Sequence, residues 1–124
     1  MRIKRVAVAF FLVAACAHQP QGAAQDRSVL TRTEIASATG AANMYDVIAR
    51  LRHEYLVSRG RTSLTLKTEQ YAMVFLNEQE YGTIESLRTI HPDMVEEVRY
   101  FNSTTAPTRF GYKYGTGVIQ VRTR

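Results

Sequence analysis

The residues from Pro92 to Arg124 constrain the fold of this chain more than any other stretch. They contain two arms of strand-like alternation, one ending at Phe101 and the other running from Gly117 to Arg124. In the first arm Val98 and Tyr100 fall on one side, and Arg99 and Phe101 on the other. In the second, Ile119, Val121 and Thr123 share a side opposite Val118, Gln120 and Arg122. A period of two in β-branched and aromatic residues marks a strand with a buried face. Between the arms lies Ala106-Pro107-Thr108-Arg109-Phe110-Gly111, followed by Gly115 and Gly117. This reads as a loop over 106–117, whose glycines let the backbone turn and pass close to another backbone.

Upstream, the pattern changes period. Ser28-Val29-Leu30 reads as a short strand, and Thr31 or Thr33 as the cap of a helix with Glu34 in its first turn. Met44, Val47, Ile48, Leu51 and Tyr55 then recur at helical spacing, which predicts an amphipathic helix over 41–55. Ser63 to Lys67 alternates like a strand. Tyr71 to Leu76 is apolar on both sides, as a central strand is. Residues 77–80 read as a turn, Thr83 as the cap of a short helix carrying Ile84, Leu87 and Ile90, and Pro92-Asp93 as one further helical turn. The expected order is β-α-β-β-α-β-β in one α+β domain with a mixed sheet. Its core should join Val74, Leu76, Val98, Ile119 and Val121 to Val47, Ile48 and Leu51.

The N-terminus reads as an address. Arg2, Lys4 and Arg5 precede an apolar run, which ends in Val13-Ala14-Ala15-Cys16. A basic start, a short apolar run and small residues are the parts of a secretory signal, and the run is too short for a lasting span of a bilayer about 30 Å thick. The last four residues resemble a bacterial lipobox. That resemblance implies a signal peptide over 1–15, cleavage before Cys16, and lipid on Cys16 anchoring the protein in a membrane. Ala17, rather than Asp, next to the cysteine implies the outer membrane, with the inner membrane as the alternative. Residues 16–27 hold Pro20 and several Ala and Gln, and read as a flexible tether reaching about 20 Å. Setting aside the three basic residues of the signal, 13 of the 16 basic residues remain against 11 acidic ones. The high isoelectric point therefore belongs largely to the signal, and nucleic acid is not an expected partner.

From residue 28 to 124, the order of elements and four segments resemble the plug domain of TonB-dependent outer-membrane receptors. The segments are Val74-Phe75-Leu76-Asn77-Glu78, Asp93 to Val98, Ala106 to Gly111 with Arg109-Phe110-Gly111 at its end, and Gly117 to Arg124. Two features depart from the family. Asn77-Glu78 stands where plugs usually carry Asp-Gly, and the chain ends at Arg124, where a receptor's barrel would begin. The resemblance implies a stand-alone plug-like lipoprotein rather than a transporter.

Chemistry is sparse. His18, His53 and His91 lack metal-site spacing, and Cys16, the one cysteine, is assigned to lipid. Glu78, Glu80, Asp93, Glu96 and Glu97 fall at turns or on a polar strand side, where solvated carboxylates are expected. No nucleophile elbow, phosphate loop or dinucleotide fingerprint occurs, so no catalytic residue, metal or cofactor is expected. The leading reading is a lipid-anchored periplasmic binding or interaction module, associated with outer-membrane transport and its protein partners. A structural envelope lipoprotein without a ligand, and an enzyme of unrecognised type, are the alternatives. Arg109, Phe110, Tyr112, Lys113 and Tyr114 interleave basic and aromatic residues, and form the candidate interaction loop. The competing expectation is that Phe110 and one tyrosine fold back over the sheet edge.

Overall fold

A computed structural model of the chain describes residues 26–58 and 70–124. The signal segment, Cys16, the tether up to residue 25 and the expected strand at Ser63–Lys67 lie outside the described residues. Among the described residues, five strands form one mixed sheet: β1 (Val29–Thr31), β2 (Met73–Leu76), β3 (Gln79–Gly82), β4 (Val95–Phe101) and β5 (Val118–Thr123). Their spatial order is β1-β4-β5-β2-β3, with β2 parallel to β5 and the other pairs antiparallel. Three short α-helices accompany the sheet: α1 (Arg32–Ser37), α2 (Met44–Leu51) and α3 (Thr105–Phe110). The domain is α+β, as the element order predicts.

The helix starts follow from capping. The Thr31 hydroxyl accepts from the Glu34 amide, and the Glu34 carboxylate accepts from the Thr31 amide at 2.9 Å, which closes a reciprocal capping box. The Asn43 side chain accepts from the Asp46 amide at 3.0 Å, so α2 begins at Met44 rather than at 41. It also ends early. Arg52 leaves helical geometry at φ −146°, and the chain tightens into a 3₁₀ turn, His53–Leu56. Ile84, Leu87 and Ile90 lie three apart, which matches the three residues per turn of a 3₁₀ helix better than an α-helix. The segment Ile84–Thr89 is a 3₁₀ helix, and all three side chains are buried. Thr83 precedes it but makes no capping bond.

The sheet buries both faces, unequally. One face carries Val74, Val98, Ile119 and Val121, packed with Val47 and Ile48 and with Leu76 and Leu51 at the margin. This is the expected core. Tyr55 stacks on Tyr100 there, with ring centroids 4.6 Å apart and planes 12° apart. The other face carries Met73, Phe75, Val118 and Phe101.

Two further expectations are corrected. Residues 79–80 do not turn the chain; Gln79–Gly82 is an edge strand hairpinned to β2 through Asn77-Glu78. Asn77 takes the left-handed backbone at φ 58°, which asparagine tolerates better than most side chains. The segment 106–117 is not an open loop. Its first part is α3, with the Asn102 side chain accepting from the Thr104 and Thr105 amides at 2.9 Å each. Pro107 is tolerated because its missing N–H falls in the first turn, where no helical acceptor exists. A 3₁₀ turn, Tyr112–Tyr114, follows. Gly117 then passes so close to β4 that a Cβ there would sit 2.9 Å from the Phe101 carbonyl oxygen.

Candidate functional site

The second sheet face grades from apolar to polar along its strands. Phe101 of β4 pairs with Val118 of β5, Arg99 with Gln120, and Glu97 with Arg122. Each step of two residues moves one row along the same face. The apolar end is roofed by α3 and the following turn. Phe110 packs on Phe75 and Phe101 with centroids at 4.7 and 5.1 Å, and Tyr114 packs edge-on to Phe75 at 5.1 Å. Among the described residues the polar end has no such roof. A groove of about 860 Å³ lies over it, lined by residues that include Arg99, Arg109, Gln120 and Arg122. A second hollow of about 630 Å³ adjoins on the β4 side, and Arg99 and Arg109 border both.

The candidate loop residues therefore separate into three roles. Phe110 and Tyr114 are packing residues, half-buried and buried. Both rings fold back, but onto the second sheet face, over Phe75 and Phe101, rather than over the sheet edge. Lys113 donates to Glu80 Oε2 at 2.8 Å, and the Tyr114 hydroxyl donates to the same oxygen, which straps the turn to β3. Tyr112 is 95 % exposed, and Arg109 is exposed at the groove. Of the five, Arg109, Tyr112 and Lys113 are exposed, and of these Lys113 is tied to Glu80.

The groove's charges are unevenly paired. Arg99 Nε donates to Glu97 Oε1 at 2.6 Å, and Arg122 Nη1 reaches the same oxygen at 3.2 Å. One carboxylate thus serves two guanidinium groups. Arg109 has no carboxylate partner among the described residues; its guanidinium lies over the Phe101 ring, 5.1 Å from the centroid. Beneath them the Gln120 side chain is buried, with Nε2 donating to the Asn77 carbonyl at 2.7 Å. Asn77 Oδ1 accepts from the Thr123 amide at 3.0 Å, so the β2–β3 turn is fixed to β5 at the groove floor.

The carboxylates around the face are held ionised. The Arg99 hydrogen bond keeps Glu97 below the usual carboxylate range, and the Lys113 and Tyr114 hydrogen bonds do the same for Glu80. Groups stabilised as anions suit ion pairing better than proton donation at neutral pH. Among the expected carboxylates Glu96 reaches only Arg32, at 3.8 Å, and no group of three His, Cys, Asp or Glu able to hold a metal occurs among the described residues. His91 lies before Pro92 beside a small hollow of about 210 Å³, away from the groove.

Arg99, Gln120 and Arg122 are site residues that the sequence alone does not single out. Their alternation places them on matching sides of two strands, but only the antiparallel pairing of β4 with β5 makes them neighbours. No protein-family model, curated protein or solved structure matches the chain.

Proposed function

We propose that this protein is a lipid-anchored binding module of the bacterial envelope, with a plug-like fold, whose binding surface is the polar end of the second sheet face. The single observation that carries the binding role is the groove itself. It has a rigid sheet floor, two guanidinium groups sharing one carboxylate, and a third, Arg109, with no carboxylate partner among the described residues. The exposed Tyr112 stands on the adjoining turn as a contact residue of the kind enriched at interfaces. Anchoring on Cys16 and an outer-membrane location come from the lipobox-like segment Val13–Cys16. A tether of this length lets the domain meet partners within about 20 Å of the membrane. The likeness of residues 28–124 to receptor plugs supports an association with outer-membrane transport.

The test is crosslinking of the acylated protein in outer membranes, followed by recovery of adducts. Wild type should recover an adduct that Arg109→Ala with Tyr112→Ala loses while keeping its thermal stability. Cys16→Ser should leave an uncleaved precursor or a soluble form. Recovery unaffected by the double variant refutes the groove as binding surface. Unchanged membrane fractionation of Cys16→Ser, without fatty-acid labelling of the wild type, refutes the anchor.

A further inference from the structure

Resting on that reading of the groove, we propose that the hollow between Arg99 and Arg109 binds a phosphate group carried on a small organic moiety. The hollow of about 630 Å³ falls within the size range of small-molecule sites. Among the described residues its wall contains no carboxylate: the two arginines are joined by Ser28, Phe101, Thr104 and Thr108 among others.

The lining of the hollow is rich in donors. Arg109 lies over the Phe101 and Phe110 rings at 5.1 and 5.8 Å, contacts that bias its position without supplying a carboxylate to its N–H groups. Arg99 directs Nε at Glu97, while its second contact to that carboxylate is long, at 3.5 Å. Asp26, whose charge also reaches Arg99, accepts from the Ser28 amide at 3.0 Å and the Ser28 hydroxyl at 2.7 Å. The Thr104 and Thr108 hydroxyls make no hydrogen bond to another described residue. One guanidinium can satisfy the two oxygens of a carboxylate bidentately. Two guanidinium groups with two threonine hydroxyls exceed that need and match the larger oxygen set of a phosphate. The Phe101 ring supplies an apolar wall for the organic part.

The phosphate could come from a soluble ester or from an anionic phospholipid headgroup, and the experiment separates them. The full acylated protein in maltoside micelles is titrated calorimetrically with glycerol phosphate. Saturable binding is expected, with affinity lowered about tenfold or more in Arg109→Gln and in Arg99→Gln. Arg50→Gln, on the opposite side of the domain, should bind as wild type does, and circular dichroism should report the same fold for all three variants. Micelles doped with phosphatidylglycerol should suppress the glycerol phosphate signal if the source is a headgroup, and leave it intact if it is a soluble ester. No saturable binding, or equal binding by Arg109→Gln and wild type, overturns the proposal. If binding fails while groove-dependent crosslinks persist, for example to an acidic protein, the phosphate assignment falls and the binding module stands.

Discussion

The guanidinium of Arg109 lies 5.1 Å above the ring centroid of Phe101, so a side chain of α3 is held over β4 without a carboxylate to neutralise it among the described residues. A cation over an aromatic face contributes roughly 0.5–1 kcal/mol at an exposed site. That is enough to bias the position of the arginine, and too little to make it structurally indispensable. Its neighbours Phe110 and Tyr114 are the reverse case, buried or half-buried against Phe75.

This division predicts a sharp contrast within six residues. Tyr112→Ala and Arg109→Ala should each change unfolding free energy by no more than about 0.5–1 kcal/mol. Tyr114→Ala should cost about 3 kcal/mol or more, because it removes a buried ring and the hydroxyl tie to Glu80. Urea denaturation followed by circular dichroism separates the outcomes. Similar losses at Tyr112 and Tyr114 would contradict the assigned roles.

Gly117 and Gly115 should differ in the same way. Gly117 has φ 102°, and a Cβ would press on the Phe101 carbonyl of the paired strand. Gly117→Ala should cost at least about 2 kcal/mol from backbone strain and displacement of β4. Gly115 sits in right-handed helical geometry, and a Cβ there would stand 3.8 Å from its nearest neighbour, the Tyr112 carbonyl oxygen. Gly115→Ala should therefore be neutral or stabilising by up to about 1 kcal/mol. Midpoints of thermal unfolding for the two variants test the pair.

Acid should weaken the fold from a known window. Burial pushes the Glu34 carboxyl up, but hydrogen bonds from Thr31 and Arg52 outweigh it, so the group titrates below its ordinary value. Glu97 is lowered by Arg99 first and Arg122 second. A depressed carboxylate lends stability that is complete above the unfolded value of 4.5 and lost as pH falls through the folded value. Glu34→Gln should lower stability at neutral pH and flatten the acid limb. At the other extreme, burial raises Tyr55 to about 12 from an ordinary 10.0. The unfolded chain releases that proton first, so stability should fall between these values, and Tyr55→Phe should remove that component. Unfolding midpoints across pH, compared among the three proteins, check both limbs; unchanged slopes in the variants would contradict the assignment.

What is legible in the sequence is what local patterning encodes. Thr31 or Thr33 is legible as a helix cap with Glu34 in the first turn, and the structure selects Thr31, three residues before Glu34, to close the capping box. Val98, Ile119 and Val121 alternate cleanly because one face is fully buried. Strand β3 is hidden because Gln79, Glu80 and Tyr81 are all exposed, leaving no alternation to read. Helix α3 is hidden because Thr105-Ala106-Pro107 lacks an apolar stripe; its one local signal is Asn102, a capping residue, ahead of a proline in the first turn. The groove is not legible at all. Arg99, Arg109 and Arg122 come from three elements, and their meeting depends on sheet order and on α3 crossing the second face.

The most direct test of the binding-module account is site-specific photocrosslinking in intact envelopes. A photoreactive residue placed at Thr108, on the wall of the hollow that adjoins the groove and shares Arg99 and Arg109 with it, is compared with one at Arg50, exposed on the outer side of α2. The account predicts a discrete adduct at Thr108, whether lipid, solute or protein, that disappears with Arg109→Gln and is absent at Arg50. No adduct at Thr108, or the same adduct from both positions, would contradict it.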